Sequence, residues 1–382
     1  MTGDVTGDAV RPEAFDLRQH GDTTSLTDRL AGWLGERLGD GSVPAVTASA
    51  DDIANGMSSS TLLFDLDWVA DDGPHHAALV ARIAPEPEGV AVFPHYDLAA
   101  QFDTMRTVAQ ATGLPVPGLH WLEPTGEVLG EAFFVMDRID GRVPPDMLPY
   151  TFGDNWLIDA AASDRTALEN AMVGVLADLH AIDDVEARFT ALAGDGAADG
   201  HLARHLERTR AWYDWSVAES GTRSALVETA LDQLSVELPT DPGETVLSWG
   251  DARIGNVLFA GFAPVAILDW EMADLGPREL DLVWLTYSHR VFQDLAAGFD
   301  LAGLPDFLAV EHVAAAYASR TGHEVRDLDW HLKYAAVRWA CAFLRTGARE
   351  AHLAGTPLTD DGDSLLHNRP SLTSLTDGTF RY

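Results

Sequence analysis

Three oxygen-bearing side chains, Asp251, Asn256 and Asp269, occur close together in the sequence. Carboxylate and amide oxygens are hard ligands of the kind that Mg²⁺ prefers in proteins. A carboxylate beside such a metal could also accept the proton of a hydroxyl group. The residue types therefore predict a site for metal-assisted chemistry on a hydroxyl group, provided that the fold brings the three side chains together.

A predicted β-hairpin would place two of these residues side by side. Two short apolar runs, 257–260 and 265–268, flank a four-residue connection that contains Gly and Pro, and this pattern is typical of a hairpin. In the expected antiparallel pairing, Val257 lies opposite Leu268. The residue before the first strand and the residue after the second then arrive at the same end of the hairpin. These residues are Asn256 and Asp269.

The spacing of this stretch matches a known catalytic template. The segment Trp249-Gly250-Asp251-Ala252-Arg253-Ile254-Gly255-Asn256, followed by Asp269-Trp270-Glu271, has the spacing with which protein kinases arrange a base and two metal ligands. Together with residues 275–282, it resembles the aminoglycoside phosphotransferase family of small-molecule kinases. The departure is Trp249, because that family usually carries a His there, generally as a structural support of the loop.

The resemblance implies a role for each residue, with ATP and Mg²⁺ as cofactors. Asp251 would orient and deprotonate the hydroxyl group of a small-molecule acceptor, while Asn256 and Asp269 hold Mg²⁺. Arg253 could neutralise charge on the transferring phosphoryl group, because this chemistry depends mainly on positioning and electrostatics. Asp281 is predicted to be a buried support of the loop rather than a participant.

The first third of the chain contains candidate nucleotide-binding residues. Ser58 and Ser59 lie in a turn of small residues between two predicted strands, where backbone N–H groups could approach phosphates; a simple hairpin turn fits the same residues. Arg82, on a third strand, stands where kinase-like folds place a phosphate-binding lysine, and Arg offers a bidentate fork to phosphate. By resemblance, the Asp137 carbonyl and the Ile139 amide would bond the adenine edge.

Composition limits the classes of function. The 382 residues include 25 Lys and Arg against 60 Asp and Glu, a net charge of −35. Such a charge argues against binding to nucleic acid or to an anionic membrane as the main activity, since both need a basic surface. Cys341 is the only cysteine, which fits a reducing cytoplasm. The acidic N-terminus lacks the features of a signal peptide, and no apolar run is long enough to span a bilayer.

The order of the predicted elements indicates an α+β, protein-kinase-like bilobal fold. An antiparallel-sheet N-lobe is followed by a hinge and a mainly helical C-lobe with one embedded hairpin. We predict a flexible leader at 1–22, an N-lobe with the nucleotide-binding sheet at 23–138, and a helical C-lobe with the catalytic loop and substrate site at 139–382.

Three functional alternatives remain open at this point. The acidic surface could attract a polycationic aminoglycoside, or could serve solubility alone. The acceptor could instead be a hydroxy acid or a hydroxyacyl thioester. A nucleotide-binding pseudokinase that acts as an interaction module is favoured by Trp249 and by Gln101, which occupies the place of the usual Glu, and is opposed by the intact Asp251. The sequence indicates no oligomeric state.

Overall fold

The protein is described here by a computed structural model that covers seven segments of the chain. These are residues 23–39, 43–49, 53–55, 59–85, 90–146, 149–193 and 200–381. The predicted leader at 1–22 lies outside these segments. The described residues form two compact units, of which the first contains residues up to 85 together with 120–138, and the second contains the remainder.

The first unit is an antiparallel sheet with one helix packed against it. The elements of this sheet and its helix are α1 (Thr23–Leu38), β1 (Ala45–Thr47), β2 (Ile53–Asn55), β3 (Ser60–Ala70), β4 (Gly73–Ile83), β5 (Leu119–Glu123) and β6 (Phe133–Asp137). The strand order is β1-β3-β4-β6-β5, and β2 also pairs with β3.

The core of the first unit follows from two periodicities. In α1, apolar residues recur at helical spacing and form one face, while in β3 alternate residues point to the same side. The buried side chains that meet between them include Leu30 and Trp33 from the helix and Leu62, Phe64 and Leu66 from the strand. Burying each of these side chains contributes roughly 1.5–3 kcal/mol, so the helix and sheet stabilise one another.

The second unit is mainly helical. Its elements are α2 (Leu98–Ala111), α3 (Ala162–Leu179), α4 (Val185–Arg188), α5 (Thr190–Ala193), α6 (His201–Ser220), α7 (Ala225–Val236), β7 (Val246–Ser248), β8 (Val257–Ala260), β9 (Ala263–Ile267), β10 (Asp274–Gly276), α8 (Glu279–Gly298), α9 (Val310–Thr321), α10 (Leu328–Ala354) and α11 (Arg369–Thr376). Among the described helices, none is both long enough and apolar enough to cross a membrane.

One segment groups differently from the sequence prediction. All of 23–138 was placed in the N-lobe, whereas Pro87–Leu119, which contains α2, groups with the second unit. Hydrogen bonds explain this grouping. The Trp212 indole donates to the carbonyl of Val92 at 2.8 Å, and the amide of Ile267 donates to the same segment at 2.8 Å.

The predicted hairpin is present as β8 and β9, but its register is shifted. Val257 lies opposite Ile267, so the prediction that it faces Leu268 is wrong by one residue. The turn is tighter than predicted, because β9 begins at Ala263 and Ala260 pairs with Ala263. An irregularity between Leu258 and Phe259, where the ladder skips one residue of β9, recovers part of this difference. The end of the hairpin still brings the two chains together, because the amide of Leu268 donates to the carbonyl of the residue before β8 at 2.9 Å.

Candidate active site

The loop that carries Asp251 is anchored at its start by Asp281, at the beginning of α8. The Asp281 side chain is fully buried, and its two carboxylate oxygens accept four hydrogen bonds. The donors are the Ser248 hydroxyl at 2.7 Å, the Trp249 amide at 2.8 Å, the Gly250 amide at 2.9 Å and the His180 ring at 3.1 Å. The Asp281 carboxylate therefore holds the loop through backbone amides of the loop, which agrees with the supporting role predicted for Asp281.

Charge at Asp281 is stabilised by these same donors. Burial alone would raise the pKa of the carboxyl group, but the hydrogen bond and the charge of His180, together with the other donors, hold the pKa of Asp281 below its ordinary value. The other nitrogen of His180 bonds the Tyr317 hydroxyl at 2.8 Å. His180 directly follows α3, and its buried ring supports Asp281.

Gly250 makes the sharp turn that leads into Asp251. Its φ of +86° lies in the left-handed region, which glycine adopts at little cost. A Cβ at this position would also clash with the backbone carbonyl of Met272. The close approach fixes the loop against the segment that follows Asp269.

The Asp251 carboxylate is held by three neighbours. Its Oδ1 accepts from the Trp284 indole at 2.6 Å, its Oδ2 accepts from the Asn256 amide at 2.7 Å, and the Arg253 guanidinium lies 3.1 Å away. The residue is 9% exposed. Sequence reasoning missed Trp284, although Asp281 and Trp284 are three residues apart in α8 and therefore lie on one face of it.

Arg253 lies between two carboxylates. Its guanidinium pairs with Asp251 and with Asp146. Burial would lower the pKa of Arg253, but these two negative charges raise it far above its ordinary value, so the side chain stays charged. The structure thus places Arg253 beside the predicted base, and its role toward a transferring phosphoryl group stays a prediction.

Asn256 and Asp269 lie at the same end of the hairpin. The Asn256 amide nitrogen donates to the carboxylate and the carbonyl of Asp251, which leaves the amide oxygen as the atom suited to a cation. Asp269 has a φ of +61°, and the Trp249 indole donates to the carbonyls of Leu268 and Asp269 at 3.0 and 3.1 Å. Trp249 therefore supports the loop that carries Asp269, as a structural His would.

This donor set fits Mg²⁺. Two protein oxygens suffice for an ion that keeps several waters and shares its shell with substrate phosphates. The described residues contain no group of three or more His, Cys, Asp or Glu side chains that could hold a metal by themselves. A metal held at Asn256 and Asp269 would therefore need oxygens from the nucleotide and water.

In the first unit, two candidate nucleotide-binding residues lie at the same end of the sheet. Ser59 directly precedes β3, and Arg82 in β4 pairs with Thr61, two residues further along β3. Ser59 is buried, and Arg82 is partly buried. Ser58 lies outside the described residues.

Two further candidates lie near the end of β6. The Arg138 amide bonds the carbonyl of Ala78 in β4 at 3.0 Å, and the alternation of a strand directs the preceding Asp137 carbonyl away from β4. The Asp137 side chain bonds the His120 ring at 2.7 Å. Ile139 follows Arg138 directly, and it is partly buried. Adenine recognition by Asp137 and Ile139 stays a prediction.

Curated relatives of the chain carry acyl-CoA dehydrogenase names. Probable acyl-CoA dehydrogenase IBR3 of Arabidopsis thaliana is 26% identical over 313 residues, which are 79% of this chain and 36% of the relative. Acyl-CoA dehydrogenase family member 11 of Rattus norvegicus is 23% identical over 94% of this chain and 43% of its own length. The chain thus spans less than half the length of either relative.

Solved structures share the fold over nearly the whole chain. A candidate aminoglycoside phosphotransferase from Ralstonia eutropha JMP134 has a TM-score of 0.64 at 21% identity, covering 94% of this chain and 98% of that one. A thermostable mutant of aminoglycoside phosphotransferase APH(4)-Ia, in a ternary complex with ADP and hygromycin B, has a TM-score of 0.54 at 15% identity over 92% and 99%. These similarities confirm the predicted α+β, kinase-like bilobal fold.

The sequence also matches a family profile. The profile of the phosphotransferase enzyme family, APH, matches residues 58–323, well over half of the chain and including the whole loop around Asp251. The chain therefore belongs to the phosphotransferase enzyme family, which confirms the predicted family and the predicted class of enzyme, a phosphotransferase with an alcohol group as acceptor.

Proposed function

We propose that the protein transfers the γ-phosphoryl group of ATP to a hydroxyl group of a small molecule. The observation that carries this proposal is the position of the Asp251 carboxylate beside Asn256. The loop that carries Asp251 is held by hydrogen bonds from its backbone amides to Asp281. A base and a cation ligand in contact, on a loop that cannot shift easily, are what phosphoryl transfer by positioning requires.

In the proposed step, the acceptor hydroxyl oxygen forms a bond to the γ-phosphorus, and the bond to the bridging oxygen breaks to release ADP. The hydroxyl proton passes to the Asp251 carboxylate. Trp284 and Asn256 fix the orientation of that carboxylate through hydrogen bonds of 2.6 and 2.7 Å. Arg253, which stays charged, would offset negative charge beside the reacting groups.

The cofactors of the proposed reaction are ATP and Mg²⁺. Asn256 and Asp269 would hold the metal, which supplies neutralisation of the charge on the phosphate oxygens. Ser59 and Arg82 would contact the phosphates, since they lie at one end of the first unit's sheet. Support for a nucleotide also comes from the similar phosphotransferase that was crystallised with ADP.

Three observations bear on the alternatives. A pseudokinase is disfavoured, because Trp249 holds the carbonyls of Leu268 and Asp269 and so fulfils the supporting role of the missing His. A hydroxyacyl thioester as the acceptor is favoured by the relatives named as acyl-CoA dehydrogenases. An aminoglycoside as the acceptor is favoured by the similar phosphotransferase that was crystallised with hygromycin B.

The proposal is tested by ³¹P NMR of the purified protein with ATP, Mg²⁺ and a panel of hydroxylated small molecules. We expect a new phosphate monoester signal that grows together with ADP for at least one class of acceptor, and no signal when the metal is chelated. If ADP appears only with an equal amount of inorganic phosphate for every acceptor, the proposed transfer is wrong.

A further inference from the structure

Arg338, on α10, is a buried cation that pairs with no carboxylate among the described residues. The side chain is 7% exposed. Its guanidinium carbon lies 4.7 Å from the ring centroid of Trp284 and 5.8 Å from that of Tyr334. Within the described part of the chain, the guanidinium group forms no hydrogen bond and no ion pair. A guanidinium group offers a planar set of donors, so Arg338 could bind an anionic group that reaches it.

Arg338 lines an open cleft in the second unit. This cleft, which we call the α10 cleft, has a volume of about 210 Å³ and is formed by side chains of α6, α10, residues 93–96 and residues 271–274. Aromatic side chains form much of its wall: Phe93, Tyr96, Trp212 and Tyr334. Its volume is below the roughly 300–1,000 Å³ of drug-sized sites, so it suits a small molecule or one end of a larger one.

The other charged groups of the cleft are largely compensated. Asp274 is bound by both Arg204 and Arg208. Burial lowers the pKa of His205 to about 4, so this ring is neutral near pH 7. The other carboxylate in the wall, Glu271, lies near Tyr96. Of the two arginines in the described wall, Arg208 already pairs with Asp274, whereas Arg338 forms no ion pair with a described residue.

One indole ring connects Arg338 to the proposed base. The guanidinium group stacks on Trp284, and the nitrogen of the same indole donates to the Asp251 carboxylate at 2.6 Å. The cleft wall also includes Met272, whose carbonyl lies against Gly250 in the turn before Asp251. A molecule in the cleft would therefore lie beside the loop that carries the base.

We propose that the α10 cleft binds the acceptor and that Arg338 holds an anionic oxygen group of it, a carboxylate or a phosphate, while the acceptor hydroxyl reaches Asp251. This inference rests on the proposed function and names its substrate class as hydroxylated anions with a short carbon chain against the aromatic wall. The charged side chains of this wall are two carboxylates, Glu271 and Asp274, and two arginines, Arg208 and Arg338. An ammonium group placed here would meet Arg338 as a like charge, so the cleft disfavours polycationic acceptors.

The binding experiment separates this inference from turnover. Isothermal titration of the protein with 2-, 3- and 4-hydroxybutyrate, each matched by the butanediol in which the carboxylate is replaced by an alcohol, measures the contribution of the anion. We expect saturable binding of at least one acid and weaker binding of its diol. Arg338→Met should weaken binding of the acid by about 10- to 100-fold, the range for losing a charged hydrogen-bonded pair. It should leave the affinity for the diol unchanged.

Two further variants control for folding and for charge. Arg345→Gln removes a second buried arginine of α10 that stacks on Trp215 at 4.3 Å and does not line the cleft; it should leave the ratio of acid to diol affinity unchanged. Arg338→Lys keeps the charge and should retain part of the preference for the acid. If Arg338→Met does not fold, this lysine variant alone tests the proposal through the same ratio.

The outcomes distinguish a failure of the inference about the α10 cleft from a failure of the proposed phosphotransferase function. Three results would overturn the inference. The first is equal affinity for acid and diol in the wild type, and the second is an unchanged ratio of the two affinities in the Arg338 variants. The third is that no acid binds, even when one acid is supplied as its coenzyme A thioester, which adds phosphate groups. Arg338-dependent binding of an acid that is never phosphorylated would support the cleft and contradict the proposed function. Phosphorylation of diols without any preference for acids would do the reverse.

Discussion

Replacing Asp281 with Asn is expected to destabilise the second unit strongly. One oxygen of Asp281 accepts from the Ser248 hydroxyl and the Gly250 amide. The other accepts from the Trp249 amide and the His180 ring. An Asn side chain keeps one oxygen and turns an NH₂ group toward the remaining pair of donors. In either orientation, one backbone N–H of the catalytic loop loses its acceptor inside the protein.

The magnitude follows from these contacts. A buried donor left without an acceptor costs about 1–3 kcal/mol, and in either orientation of the amide two of the four donors lose their acceptor. We expect Asp281→Asn to lower the free energy of unfolding by about 3–5 kcal/mol, out of the roughly 5–15 kcal/mol that domains typically have.

Urea unfolding, followed by tryptophan fluorescence and by circular dichroism in parallel, measures this loss; the two signals also show whether the two units unfold together. Asp294→Asn is the matched control, because Asp294 lies on the same helix, is partly exposed and pairs with Arg290 at 2.7 Å. Its expected cost is about 0–1 kcal/mol. A loss below about 1 kcal/mol for Asp281→Asn would refute the account of how the loop is held.

Three more predictions concern stability, the supporting tryptophan and the metal. Burial lowers the pKa of three histidines of the second unit to about 4. Because the unfolded chain binds more protons than the folded protein below about pH 6.5, the free energy of unfolding should fall as the pH is lowered from about 6.5 to about 4. A free energy of unfolding that stays constant over this pH range in urea titrations would contradict this prediction. These histidines are His205, His289 and His331. Trp249→Phe keeps an aromatic side chain but removes the indole nitrogen and its two hydrogen bonds to the loop of Asp269, so the Mg²⁺ concentration needed for half-maximal turnover should rise several-fold. An unchanged metal titration would argue against the supporting role. Asp269→Ala should abolish the tightening of ATP binding by Mg²⁺ in calorimetry with an unchanged circular dichroism spectrum, and a retained Mg²⁺ effect would remove this carboxylate from the metal site.

Local patterns predicted the elements that carry the site. The first strand of the hairpin begins and ends as predicted, because a short apolar run between turn residues is a local signal. The second strand begins two residues earlier than predicted, at Ala263, and the register at Val257 was therefore wrong by one residue. The bulge between Leu258 and Phe259 depends on how the strands pack and leaves no mark in the spacing.

Long-range contacts account for what the sequence could not reveal. His180 and Asp281 are 101 residues apart in sequence yet bond directly, and no local pattern links them. Arg338 was absent from the predicted site because its stacking on Trp284 joins two separate helices. Trp284 itself was accessible to helical spacing from Asp281, and only its bond to Asp251 required the structure.

The central claim is that Asp251 accepts the proton of an acceptor hydroxyl, and Asp251→Asn tests it most directly. The amide keeps the size of the side chain and one acceptor for Trp284 or Asn256, but it removes the basicity. ATP affinity, measured by calorimetry with Mg²⁺, should change little, whereas acceptor-dependent ADP release should fall by about 10²- to 10⁴-fold. If the variant and the wild type bind ATP equally and release ADP at the same rate with a competent acceptor, Asp251 is not the base and the account is contradicted.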